Sequence, residues 1–166
     1  NKKELTDIIA RLRREIPDIA LRTTLITGFP GETYEEHQEV MEFIDECEFD
    51  RLGVFTYSRE EDTPAASMPD QIDEAVKEKY RDEIMQLQQE ISADRSADMV
   101  GSILEVMIEG YIAEDNTYVG RSYKDAPNVD GLVFVEYDRE LMSGDFVNVL
   151  ITGSTEYDLI GEIVEE

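Results

Sequence analysis

The chain has one cysteine, one histidine, no tryptophan and fifteen lysines and arginines among its 166 residues. With Cys47 alone there is no intramolecular disulfide framework, and a reducing cytoplasm is the expected compartment. An iron–sulfur cluster takes three or four thiolates, so this chain cannot hold one by itself. Paired-cysteine zinc signatures and phosphate-binding glycine loops are absent as well. No apolar run approaches the ~20 residues that cross a bilayer, and no N-terminal signal pattern is visible, so no membrane association is expected. Cations are scarce against forty acidic residues, giving a formal net charge of −25. Such a surface repels phosphate backbones, and nucleic acid is not expected as a direct partner. The charge favours a basic protein partner; plain solubility explains it equally well.

What is present is globular in composition, 41% hydrophobic, and changes period once. Leu5, Ile8, Ile9, Leu12 and Ile16 fall on one helical stripe. "DIALRTTLIT" then reads as a strand, Thr33 and Glu36 as the capping box of a second helix, and Val40, Met41, Phe43, Ile44 and Cys47 as its buried face. "RLGVFTYS" is the next strand, so the order implies a parallel βαβ unit. After a polar loop at 59–71, Ile72, Val76, Lys79, Tyr80, Ile84, Leu87 and Ile91 mark a helix over about residues 72–98. Past Gly101 the pattern alternates. "SILEVMIEG", "TYVGRSY", "GLVFVEY", "DFVNVLITG" and "YDLIGEIVE" are five short strands, the material of a small antiparallel barrel. A domain boundary is expected near residue 98, giving domains 1–98 and 99–166. The first holds 12 basic and 25 acidic residues and the second 3 and 15.

Two turns lie at carboxyl ends of the paired strands, the edge where parallel sheets bind ligands. In "TGFPGET", Gly28 leaves room for a ligand or another backbone, Pro30 stiffens the chain and Gly31 permits positive φ. In "FTYSREEDTPA", Tyr57 and Ser58 occupy the corresponding place. Spacing alone favours plain connections at both. His37, among Glu35, Glu36 and Glu39, reads as a solvated helix residue, and Cys47 as core. Tyr118, Tyr123, Tyr137 and Tyr157 could stack bases, but only Arg121, Lys124 and Arg139 are cationic in that half, so packing is the expected role of most of them.

Taken together, "LRTTLITGFPGET", "VFTYSREEDTPAA" and residues 100–166 resemble the methylthiotransferases, a branch of the radical S-adenosylmethionine enzymes. "GRSYKDAPNVDG" at 120–131 is similar to the branch acting on ribosomal protein S-twelve. The resemblance implies an α/β plus all-β chain: a partial radical-SAM (β/α) barrel segment followed by a five-stranded, OB-like TRAM barrel. It implies an intact enzyme that uses S-adenosylmethionine and two 4Fe-4S clusters to methylthiolate an aspartate β-carbon, with the TRAM domain recognising the basic protein. By the same resemblance Thr24, Gly28, Phe29, Pro30, Tyr57 and Ser58 are expected at the cofactor, and Tyr123, Asp125, Asp130 and Glu136 at the protein substrate. The family's cluster cysteines have no counterpart here. The chain is therefore expected to be a C-terminal part, to bind no cofactor alone and to be inactive alone. Asp62 stands where similar sequences tend to have glycine. Two bare parallel strands are expected to be capped by helices or to self-associate through their edges. The rivals are an RNA-binding module, whether of a tRNA-modifying relative or a free-standing TRAM/OB-type protein, and an acidic interaction protein whose two turns do not converge.

Overall fold

The computed structural model describes residues 1–164. In chain order the elements are α1 (Lys2–Glu15), β1 (Arg22–Thr27), α2 (Tyr34–Cys47), β2 (Arg51–Thr56), α3 (Glu74–Ala97), β3 (Ile103–Ile112), β4 (Thr117–Arg121), β5 (Val133–Glu136), β6 (Phe146–Ser154) and β7 (Leu159–Ile163). The chain divides into two compact units, residues 1–91 and 92–166, and α3 runs from one into the other. No helix among the described residues is long and apolar enough to cross a membrane.

In the first unit β1 and β2 pair in parallel from Arg22↔Arg51 to Thr27↔Thr56, with α2 as the crossover. The start of α2 is fixed as its sequence implies. The Thr33 side chain accepts from the Glu36 N–H, and the Glu36 carboxylate accepts from the Thr33 N–H, satisfying two donors that the helix itself leaves open. The core gathers Ile44, Cys47, Phe49, Leu52, Ile84 and Ile91 between the helices and one face of the strands. On the opposite face Ile26 and Phe55 are neighbours in the ladder and both exposed.

Two helical stripes of this unit bury only part of their apolar residues, and one expectation, that for His37, needs correction. The stripe of α1 exists, but Leu5, Ile8 and Ile16 are exposed and no residue of α1 is fully buried. In α3 the buried line is Lys77, Tyr80, Ile84, Gln88 and Ile91, whereas Val76 and Lys79 point to solvent. His37 is fully buried, not solvated, because it lies four and seven residues before Met41 and Ile44 and so shares the inner face of α2. Asp62 adopts φ 63°, the left-handed region in which glycine is free of strain.

In the second unit the strands close as β3-β4-β5-β7-β6. Four of the five pairings are antiparallel, but β5 and β7 run parallel, so the barrel is mixed and the all-antiparallel expectation fails. A closed ring of five strands cannot alternate direction all the way round, since five is odd. Every second residue points inward: Leu104, Val106 and Ile108 from β3, Val133 and Val135 from β5, Val149 and Ile151 from β6. Gly120 and Gly161 fill inward positions where the barrel is too narrow for a side chain.

Candidate functional site

The turn after β1 is built by its own residues. The Glu32 N–H donates to the Phe29 carbonyl at 2.9 Å, with Pro30 and Gly31 (φ 87°) between them, the arrangement of a type II turn. The Glu32 carboxylate then folds back over the strand end. It accepts from the Gly28 N–H, from the Phe29 N–H at 3.2 Å and from the Thr27 hydroxyl at 3.4 Å. Backbone donors that could have cradled an external anion are therefore taken by an internal one.

The second turn meets the first. The Tyr57 N–H donates to the Thr27 carbonyl at 2.8 Å, extending the parallel ladder beyond β2. This brings the Tyr57 ring edge-on to Phe29, with centroids 5.3 Å apart. Such convergence is what the interaction-protein rival does not expect. The Tyr57 hydroxyl is buried and meets no hydrogen-bond partner among the described residues. Ser58 is exposed and its hydroxyl donates to Glu60 at 2.6 Å. Thr24 is exposed on β1 opposite Gly53. Phe29 and Pro30 also line a groove of about 590 Å³ along β1, with Leu5, Ile26, Val40 and Phe43 on its apolar side.

Gly28 (φ 76°) is buried, and what lies against it is a side chain of α3. A Cβ at this position would sit 2.3 Å from Cγ of Lys77. The Lys77 ammonium passes on to donate to the Tyr57 carbonyl and to Glu74, each at 3.0 Å, and lies 5.5 Å from the centre of the Tyr57 ring. Beside this cluster His37 stacks flat on Tyr80, centroids 3.9 Å apart, and its Nε2 lies 2.7 Å from the Glu83 carboxylate. Burial pushes the Tyr80 phenol up, so it stays neutral as the platform of that stack.

The residues expected at the protein substrate fall in two places. Tyr123, Asp125 and Asp130 share the loop between β4 and β5. Tyr123 is exposed, but both carboxylates help to build the loop. Asp125 accepts from the Ser122 N–H and hydroxyl at 3.0 and 2.8 Å, and Asp130 from the Ala126 N–H at 2.6 Å. Glu136 ends β5 and lines a separate acidic hollow of about 380 Å³ with Asn116, Asp138 and Glu162.

Glu32 and Lys77 pack at these turns although the sequence does not single them out, and His37, which reads as solvated, is buried beside them. The spacing of His37 to Ile44 was a usable signal; Glu32 and Lys77 are charged residues in charged surroundings and give none.

An iron–sulfur cluster does not fit the residues present. Cys47 is buried in α2 with its thiol pushed up by burial, and no group of three or more metal-binding side chains occurs among the described residues. A nucleoside-bearing cofactor does fit the paired turns. They offer an aromatic edge at Phe29 and a buried hydroxyl at Tyr57 that meets no partner among the described residues, and the strands leading to them expose the apolar pair Ile26 and Phe55.

Comparison with known proteins adds to this geometry. The TRAM domain family matches residues 100–164. Among curated proteins, the ribosomal protein uS12 methylthiotransferase RimO of Lachnoclostridium phytofermentans is 58% identical over 97% of this chain and 37% of its own length. Those of Pelotomaculum thermopropionicum and Desulfitobacterium hafniense are 52% and 51% identical over 99% and 98% of the chain, and 37% and 36% of their own. The chain thus spans little more than a third of the curated relatives it matches.

Proposed function

Since this chain belongs to the RimO family of ribosomal protein uS12 methylthiotransferases and carries its TRAM domain, we propose that it forms part of a radical S-adenosylmethionine enzyme that methylthiolates an aspartate β-carbon of uS12. The first unit is read as a section of the catalytic (β/α) barrel. Thr24, Gly28, Phe29, Pro30, Tyr57 and Ser58 form the seat of the cofactor's adenosyl part, and the clusters are held by residues outside this chain. Bound there, S-adenosylmethionine supplies hydrogen abstraction and the methyl group. The chain's own residues hold and orient it and shield one side from water.

The observation that carries this reading is the convergence of the two turns at one sheet edge, Phe29 against Tyr57 at 5.3 Å, in a chain this similar to its relatives. The second unit, rich in carboxylates, docks the basic substrate, and opposite charge steers the encounter. A full-length enzyme carrying this segment, with its clusters reconstituted, should convert uS12 to a product heavier by one methylthio group replacing one hydrogen. Modification of tRNA instead, with uS12 untouched, would overturn the proposal in favour of the RNA-directed rival.

A further inference from the structure

Lys77 sits where local chemistry disfavours it. It is 6% exposed, and a buried ammonium is costly unless it is fully hydrogen-bonded. It also lies in the first turn of α3, whose N–H groups make that helix end positive. A residue that breaks two local rules and keeps its place marks a constraint from elsewhere in the structure. The contacts show what that is. The stem of Lys77 occupies the space above Gly28, which an alanine methyl would invade at 2.3 Å. Its ammonium donates to the Tyr57 carbonyl at 3.0 Å and is neutralised by Glu74 at 3.0 Å. One side chain of α3 therefore touches both turns.

We infer that Lys77 is a positioning residue that clamps the 28–30 turn to the 57–58 turn and thereby sets the spacing of the adenosyl seat. The inference rests on the reading of those turns as that seat. It assigns the lysine no contact with the cofactor. It acts through the Gly28 backbone and the Tyr57 carbonyl, so its loss loosens the seat while leaving the reacting groups in place.

The test uses the full-length enzyme with clusters reconstituted. In Lys77→Met the stem remains over Gly28 and the donor to Tyr57 is lost. The dissociation constant and KM for S-adenosylmethionine should rise about tenfold, with kcat lowered less, while the lost intramolecular hydrogen bond itself shows as a lower unfolding midpoint. Lys77→Arg, which keeps a donor, should recover much of the affinity. If Lys77→Met fails to fold, Glu74→Gln carries the test. Glu74 is exposed and pairs with the ammonium, and its loss should weaken binding about two- to threefold. Unchanged affinity in a folded Lys77→Met variant, or no recovery by arginine, overturns the clamp. A wild-type enzyme that binds the cofactor without involving either turn overturns the underlying reading instead.

Discussion

Gly28→Ala should destabilise the first unit by about 3 kcal/mol, combining a left-handed backbone that costs an L-residue about 1–2 kcal/mol with overpacking of similar size. The overpacking is severe because the added methyl would meet the near end of the Lys77 side chain, Cβ and Cγ at 2.9 and 2.3 Å, and not a mobile tip. Denaturant unfolding of the whole chain, followed through the helical signal, measures the loss. The two contributions separate in a double-mutant cycle. With Lys77→Ala as background the clash with Cγ and Cδ disappears and the backbone cost remains, so the penalty of Gly28→Ala should fall by about 1–2 kcal/mol. Strict additivity would mean that lysine and glycine do not touch.

The second large effect is in the barrel. Gly161 on β7 points inward, and a methyl there would lie 2.4 Å from Val149 Cγ1 and 2.5 Å from the Leu150 carbonyl oxygen. A backbone atom cannot step aside as a side chain can, so Gly161→Ala should cost about 3 kcal/mol or prevent closure. In the full-length enzyme this variant also divides the labour between the units. Affinity for uS12 should drop at least about tenfold, the order seen when a docking surface is lost, while binding of S-adenosylmethionine persists. Undiminished uS12 binding with the barrel unfolded would show that the protein substrate docks elsewhere.

These two glycines also show how far the sequence could be read. All five barrel strands were legible because their inward residues alternate strictly, from Leu104–Val106–Ile108 to Leu159–Gly161. A closed ring of five strands forbids full alternation, which implies one parallel pair, but periodicity carries no direction and does not say that the pair is β5–β7. The capping box at Thr33 and Glu36 was read correctly because its chemistry is local. His37 was missed although its spacing to Met41 and Ile44 was visible, because a histidine among glutamates reads as solvated until Tyr80 and Glu83 are brought over it by α3.

Gly28 is the instructive case. The room left by its absent Cβ is legible in the sequence, its left-handed φ of 76° is not, and a glycine's missing side chain does not say what fills the vacancy. The neighbour is Lys77, forty-nine residues on, and no local pattern could have supplied it. Asp125 and Asp130 show the converse. Carboxylates in an acidic domain invite a role toward a cationic partner, while much of their hydrogen bonding closes their own loop.

The central claim is that the turns at 28–30 and 57–58 together seat the cofactor's adenosyl part. Hydrogen exchange of the full-length, cluster-loaded enzyme with and without S-adenosylmethionine tests it most directly. The amides of Gly28, Phe29, Tyr57 and Ser58 should exchange more slowly when the cofactor is bound, with those of residues 122–131 unaffected. Slowing confined to 122–131, or none at either turn while the cofactor is demonstrably bound, would contradict the account.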